Sequence, residues 1–308
     1  MPPTFQELMP CTGVDEHTPN GDAAIVVPLG PKGEKGSNAV VLADGPGLHV
    51  ASTTPAVQVD EITDPGRHPN WAKLLPLVIP IHKLNAGAIK IFNISSNSLL
   101  GWDVAKVQAT KTNERTSKAE ATLKVVVLSY ISKTISIRPT QVRDGHGNKV
   151  SFNAPVDPQR FLAEMNSIWK PQANIEFKLG RTDPALIEGL KPDSKADVND
   201  LLDSFVKSKD PAADLTMFLV RKAFDKTEVD GVTRAKEGIA LISDARLSNR
   251  TFAHEAGHFL GSLNEHGKYS QDYGEQGTNP DYLMSSVGSG RRIPYSQVPD
   301  FNKGYRRG

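Results

Sequence analysis

Arg250-Thr251-Phe252-Ala253-His254-Glu255-Ala256-Gly257-His258-Phe259-Leu260-Gly261-Ser262-Leu263-Asn264-Glu265-His266 is the stretch on which the reading of this chain turns. It holds His-Glu-x-x-His followed by x-x-Gly. Four residues of α-helix advance about 400°, so His254 and His258 project from one face a turn apart and can share one metal ion. Glu255 lies beside them on the helical wheel, placed to take a proton from water activated by that metal without ligating it. Phe252, Ala256, Phe259, Leu260 and Leu263 make an apolar stripe on the other side, which predicts a helix anchored in a core.

Downstream of the motif, Gly261 permits the positive backbone dihedral that ends a helix and returns the chain toward the metal. Tyr282-Leu283-Met284-Ser285-Ser286 follows the turn-forming pair Asn279-Pro280 and precedes Gly288-Ser289-Gly290, so Met284 is predicted to sit in a tight turn. The competing bland readings are a surface helix with ordinary polar residues for the motif, core filling for Met284 and an exposed loop residue for His266. His17, His49, His68, His82 and His146 lie in turn-rich or β sequence without ligand spacing and receive no role.

The pattern changes character along the chain. Residues 23 to 129 read as short β-prone runs punctuated by Gly, Pro, Asn and Asp: Ala24 to Val27, Ala39 to Leu42, Leu48 to Ser52, Ala88 to Ile94, Val104 to Thr110 and Thr122 to Leu128. Strands at this spacing predict an all-β sandwich or small barrel, taken as a sandwich over residues 1–130, with Lys111 to Glu120 as a surface loop. This stretch resembles a bacterial immunoglobulin-like domain in pattern alone. From 131 to 308 strands and helices alternate. Lys133 to Val142 alternates as a half-buried strand. Asp157 and Pro158 then open an amphipathic helix through Phe161, Met165, Ile168 and Trp169 that Pro171 is expected to stop. Ile175 to Leu179, Leu215 to Val220 and Gly238 to Ile242 read as strands, and Asp197 to Lys207 as a second amphipathic helix.

Over about residues 131–308 the chain resembles the metzincin zinc metallopeptidases, particularly their small bacterial matrixin-like and snapalysin-like members. The likeness rests on His254-Glu255-Ala256-Gly257-His258, Gly261 and Met284, and on the order of the predicted elements. It implies an α+β zincin domain and a hydrophobic floor under Zn2+ made by Met284. It also implies an edge strand at Gly238, Ile239, Ala240 and Leu241, to which an extended polypeptide substrate adds through backbone hydrogen bonds. The residues from Met284 to about Tyr295 would border the pocket for the side chain that follows the scissile bond.

One position departs from that pattern. The metzincin third ligand, His or Asp, stands three residues after the glycine, where this chain has Asn264, a neutral amide and a poor zinc donor. A turn two residues longer brings in His266, which is preferred to Asn264, while Glu265 is weaker. Some metzincins keep a tyrosine two residues after the turn methionine, and here that residue is Ser286. A gluzincin-type site completed by Glu275 or Asp281 ranks lower, because residues 267 to 280 give no helix pattern.

Composition narrows the rest. With 36 basic and 35 acidic residues, net charge points to neither nucleic acid nor an anionic membrane as partner. Cys11 is the single cysteine, which excludes an intrachain disulfide and a multi-thiolate zinc site, and as it stands in no switch motif thiol-based latency is not expected. Leu74 to Ile81, the most apolar run, is broken by two prolines and is far below the ~20 residues of a membrane helix. Residues 1–10 do not read as a secretory leader, leaving a cytoplasmic protein or export by a leaderless route as the expectation. The expected activity is zinc-dependent endopeptidase, with the N-terminal domain positioning it or binding a protein or surface partner. The alternative is a non-catalytic binding or structural protein with a degenerate zinc site.

Overall fold

Valine-rich runs at short spacing build the first part of the chain and long apolar strands the second, and the polypeptide divides between them after Ile131. The computed structural model describes residues 4–7, 23–44, 49–61, 89–96, 104–110, 121–144, 149–152, 154–190, 203–221, 231–243, 247–261, 282–285, 290–293 and 298–302. Unit 1 comprises Met1–Ile131 together with Pro171–Asn174 and Pro294–Gly308, and unit 2 the remainder. The C-terminal residues from 294 onward, expected in the second domain, therefore group with the first.

Unit 1 contains β1 (Thr4–Glu7), β2 (Ala23–Pro28), β3 (Gly36–Asp44), β4 (His49–Ser52), β5 (Val57–Glu61), β6 (Ile89–Ser96), β7 (Val104–Thr110) and β8 (Ala121–Leu128). They form two four-stranded sheets, ordered β1-β3-β6-β5 and β2-β8-β7-β4. All pairs are antiparallel except β2 with β8, where Val26 faces Val126 and Val27 faces Val127 in parallel register. Val26, Val27, Ile94, Val107 and Val125 to Val127 are fully buried, as β-branched residues on inward-facing strands should be. The strands β1 and β5 escaped the sequence reading. Lys111 to Glu120 and Leu74 to Ile81 lie outside the described residues.

Two asparagines tie the later segments of unit 1 to its strands. Asn174 adopts φ 52°, the left-handed region, and is buried. Its amide donates to the carbonyls of Leu29 at 2.9 Å and Leu128 at 2.8 Å, and its own carbonyl accepts from Ile131 N–H at 3.0 Å. Asn302 donates to the carbonyls of Ser129 at 2.9 Å and Ala173 at 2.7 Å.

Unit 2 is built on β9 (Ile131–Asp144), β10 (Lys149–Ser151), β11 (Ile175–Leu179), β12 (Ala185–Leu190), β13 (Leu215–Val220), β14 (Gly231–Arg234) and β15 (Ile239–Ser243). The sheet order is β10-β9-β13-β15-β14, with β11 and β12 also pairing β9. β9, β13 and β15 run parallel, and β14 is antiparallel to β15 at the margin. Every residue of β13 and β15 is buried, which explains their continuous apolar sequences: a strand covered on both faces has no reason to alternate. Phe218, Val220, Ile239 and Leu241 join Val142, Ala185, Ile187 and Phe205 in one cluster. Strand alternation sends Met217, Leu219, Ala240 and Ile242 to the opposite face, where they are equally buried.

Among the described residues unit 2 also carries α1 (Pro158–Ala173), apart from its last residues from Pro171, and α2 (Asn249–Gly261), while α3 (Val298–Phe301) is a single turn in unit 1. Phe161 of α1 stacks on Phe252 of α2 with centroids 4.1 Å apart, and Trp169 donates its indole N–H to the Ala253 carbonyl at 3.1 Å. α1 does not stop at Pro171. It continues to Ala173, because near a C-terminus a proline forfeits only one late helical hydrogen bond. Of the second predicted helix only residues 203–206 are helical and 197–202 lie outside the described residues. β12 has no counterpart in the sequence reading.

Replacing Asn174 with alanine is expected to cost about 1–3 kcal/mol, by taking the donor from the Leu29 carbonyl and one of two donors from the Leu128 carbonyl, and by removing the polar side chain that makes asparagine tolerated in left-handed backbone. Asn174→Gly should recover only the backbone share. Urea unfolding midpoints of the two variants check this.

Candidate metal centre

The helix that carries the motif starts where a hydroxyl receives it. Ser248 Oγ accepts from Thr251 N–H at 3.2 Å, an N-cap that satisfies one of the free donors of the first turn. From there α2 buries Phe252, Ala253, Ala256 and Leu260 and runs to Gly261. A helix fixed on that side has no freedom to rotate its histidines away from each other.

His254 and His258 come together as their spacing predicts. Their Nε2 atoms are 3.1 Å apart, and the rings meet edge to face with centroids 4.7 Å apart. His254 Nδ1 lies 2.8 Å from the carbonyl of Leu283. A carbonyl can only accept, so Nδ1 carries the proton and the Nε2 lone pair faces His258. His258 completes the pair by donating its Nε2 proton. Burial pushes His254 down to about 4 and His258 to about 3, with the neighbouring His254 adding to the effect on His258. Both rings are therefore neutral near pH 7, the form that binds metal.

The pair fits a shared cation. Two imidazole nitrogens each ~2.0–2.1 Å from a tetrahedral zinc ion stand roughly 3.3–3.4 Å apart, close to the 3.1 Å observed. Leu283 supplies the outer hydrogen bond that metal-binding histidines characteristically make through their second nitrogen. Among the described residues no third His, Cys, Asp or Glu joins the group. Asn264, Glu265, His266, Glu275 and Asp281, the candidates for completing it, lie outside the described residues, as does Ser286.

Met284 is buried in the turn Tyr282–Ser285, where Ser285 N–H bonds the Tyr282 carbonyl at 3.2 Å. Its sulfur lies so close to Gly257 that a Cβ there would collide with it. The methionine thus sits beneath the histidine-bearing segment of α2, and glycine between the two histidines is what lets it approach.

Glu255 is buried and turns toward β14. Thr233 Oγ1 donates to its Oε2 at 2.5 Å, and a Cβ on Gly231 would stand 2.5 Å from Oε1. Gly231 and Thr233 were missed in the sequence. The signal available was the pair Asp230-Gly231 before the β-branched Val232 and Thr233, a faint mark of a short strand.

The expected edge strand is corrected. Ile239, Ala240 and Leu241 belong to β15, which bonds β13 on one side and β14 on the other. Its backbone groups are spent, so no further strand can add there. Gly238 precedes the strand in a turn, with φ 65° and its N–H on the Ala235 carbonyl. Among the described residues the marginal strand is β14, and the four-residue connection 235–238 leads from it back into β15.

Arg250 is the other residue the sequence did not flag. Its guanidinium donates to the carbonyls of Leu283 at 3.1 Å and Gly290 at 3.3 Å and to that of Ser285.

No protein-family model and no curated protein matches the sequence. Among solved structures the chain is similar to one described as the structure of a chaperone-substrate complex, with TM-score 0.32 and 15% identity over 64% of this chain and 38% of that one. It is also similar to a Bacteroides ovatus GH5 xyloglucanase in complex with a XXXG heptasaccharide, with TM-score 0.20 and 10% identity over 84% of this chain and 51% of that one. The chain spans well under two thirds of either, and likeness at these scores carries no functional argument. Among the described residues no helix is long and apolar enough to cross a membrane.

Two expectations follow from this geometry. Because both rings are held below 6.5, between about pH 6.5 and 4 the unfolded chain takes up protons that the native chain refuses. In metal-free protein the stability is complete above that window and declines as the pH falls through it, by up to about 1.4 kcal/mol per pH unit for each ring. Urea midpoints across the window should fall accordingly, and a double His254→Gln, His258→Gln variant should flatten the slope. Thr233→Val removes the hydroxyl from a buried carboxylate and should lower unfolding free energy by about 1–3 kcal/mol, measured the same way.

Proposed function

We propose that the chain is a zinc-dependent endopeptidase of the metzincin type that hydrolyses peptide bonds in extended polypeptide. The observation that carries this reading is the convergence of two neutral, half-buried imidazoles, with Nε2 atoms 3.1 Å apart, on the helix that also bears the buried Glu255. His254 and His258 would hold the ion, and the third donor is assigned to His266, with Asn264 as the alternative. When bound, zinc supplies a Lewis acid that polarises the scissile carbonyl and makes water acidic near neutrality.

The protein's own groups do the rest. Glu255 takes the proton from the attacking water and delivers it to the departing amine, so the carboxyl group ends the cycle as it began. Thr233 holds that carboxylate on the side of β14. β14 forms the sheet margin next to the general base, and an extended substrate strand would lie along it by backbone pairing. Met284 packs against Gly257, which stands between the two histidines, and would form the floor of the site. For the N-terminal region, the proposal is an immunoglobulin-like sandwich that binds a protein or surface partner and brings the peptidase to it.

The test is metal analysis joined to proteolysis. The full chain should retain about one zinc per molecule and cleave a denatured protein in a chelator-sensitive manner. Glu255→Gln should keep the zinc and lose at least ~10²-fold in kcat, the scale of a lost general base. His266→Ala should release zinc while Asn264→Ala and Glu275→Ala retain it. Loss with Glu275→Ala alone would replace the metzincin scheme with a gluzincin one. Neither zinc nor cleavage in the wild-type chain would leave a non-catalytic binding protein with a degenerate site.

A further inference from the structure

Arg250 stands one helical turn before His254, so the two side chains leave the same face of α2. The guanidinium reaches both flanks of the methionine-bearing segment. Nη2 donates to the Leu283 carbonyl at 3.1 Å and to the Ser285 carbonyl, while Nε donates to the Gly290 carbonyl at 3.3 Å. A second tie comes from within the segment: Leu283 N–H bonds the Arg292 carbonyl at 2.8 Å, and Tyr282 bridges to Arg292.

The Leu283 carbonyl is where these contacts meet the metal centre. It accepts from Arg250 Nη2 and, at 2.8 Å, from His254 Nδ1. A carbonyl has two lone pairs, so this oxygen is fully used. Its direction decides which nitrogen of His254 keeps the proton and which offers a lone pair. Leu283 belongs to a turn rather than to a helix or an interior strand, and a turn carbonyl needs an outside anchor to hold its aim. Arg250 is that anchor, since one rigid, planar group grips three carbonyls that a turn would otherwise leave to orient independently.

We propose that Arg250 is a positioning residue for the histidine pair: it fixes the Leu283 carbonyl, and through it presents His254 as the Nδ1–H tautomer, whose unprotonated Nε2 carries the lone pair a metal would take. Arg250 sets the tautomer through the turn, while its positive charge also disfavours a second proton on His254. The effect on metal affinity rests on the zinc-peptidase reading, whereas the effect on the tautomer does not. A lysine at this position keeps the charge but offers a point donor on a flexible stem, so it can satisfy one carbonyl and not the set.

The experiment compares the full wild-type chain with Arg250→Gln and Arg250→Lys. The His254 tautomer is read in chelator-treated protein from ring nitrogen-15 shifts, with the resonance assigned by its loss in His254→Gln. Zinc affinity is then measured by calorimetry with the metal alone. The wild-type chain should show the Nδ1–H form. Arg250→Gln should move His254 toward the Nε2–H form and weaken zinc binding about 10- to 100-fold, the usual effect of removing an outer-shell support, with Arg250→Lys intermediate in both. Near-UV circular dichroism establishes that the variants are folded, and if Arg250→Gln is not, Arg250→Lys decides on the same two readouts. A folded variant that keeps both the wild-type tautomer and the wild-type zinc affinity overturns the proposal. If the wild-type chain binds no zinc, the peptidase reading falls and the tautomer comparison alone decides on Arg250.

Discussion

The hydrogen bond between His254 Nδ1 and the Leu283 carbonyl is the constraint on which the candidate site depends. It joins a helix to a turn about thirty residues further along the chain and gives the first imidazole one orientation and one tautomer. Given that orientation, the spacing of an α-helix brings His258 to it without further help. The rest of the site is arranged to protect that bond. Arg250 steadies the carbonyl, Met284 fills the space beneath α2, and Gly257 keeps that space open.

Burial acts on this pair in one direction. A charged imidazole shielded by protein loses more hydration than the Leu283 carbonyl returns to His254, so both rings are kept neutral far below the ordinary histidine value. Neutral rings have lone pairs to offer, and two of them aimed at one point repel unless a proton or a metal ion lies between. In the metal-free molecule a shared proton answers that need. A divalent cation would answer it by taking both lone pairs, with the His258 proton moving from Nε2 to Nδ1 and no net proton released near neutral pH.

Much of unit 2 was legible in the residues, because its strands and helices obey strong local rules. β11 and β13 have the bounds read from their apolar runs, and α1 opens where Asp157 and Pro158 announce it. The helix with the two histidines was legible for the same reason. What escaped was decided by pairing. Nothing in Gly238 to Ile242 reveals that both sides of the strand are occupied, because that depends on the short and weakly patterned Gly231–Arg234 beyond it. Arg250 was invisible for a related reason: its partners are three main-chain oxygens, and backbone atoms leave no mark in side-chain chemistry. In unit 1 the valine runs marked most strands, while β1 and β5 carry too few apolar residues to stand out from the turns around them.

The order in which the chain visits its two units has a practical meaning for anyone who would take the molecule apart. Unit 1 reclaims Pro171–Asn174 and Pro294–Gly308 after the polypeptide has left it, so unit 2 is threaded through it in sequence instead of following it. A fragment ending at Ile131 would keep the strands but forfeit Asn174 and Asn302, and the carbonyls of Leu29, Leu128 and Ser129 would lose the amides that serve them. Dissection at that point separates two lengths of peptide without liberating two intact modules, and a clean excision of unit 2 would have to graft both returning segments back onto the piece left behind.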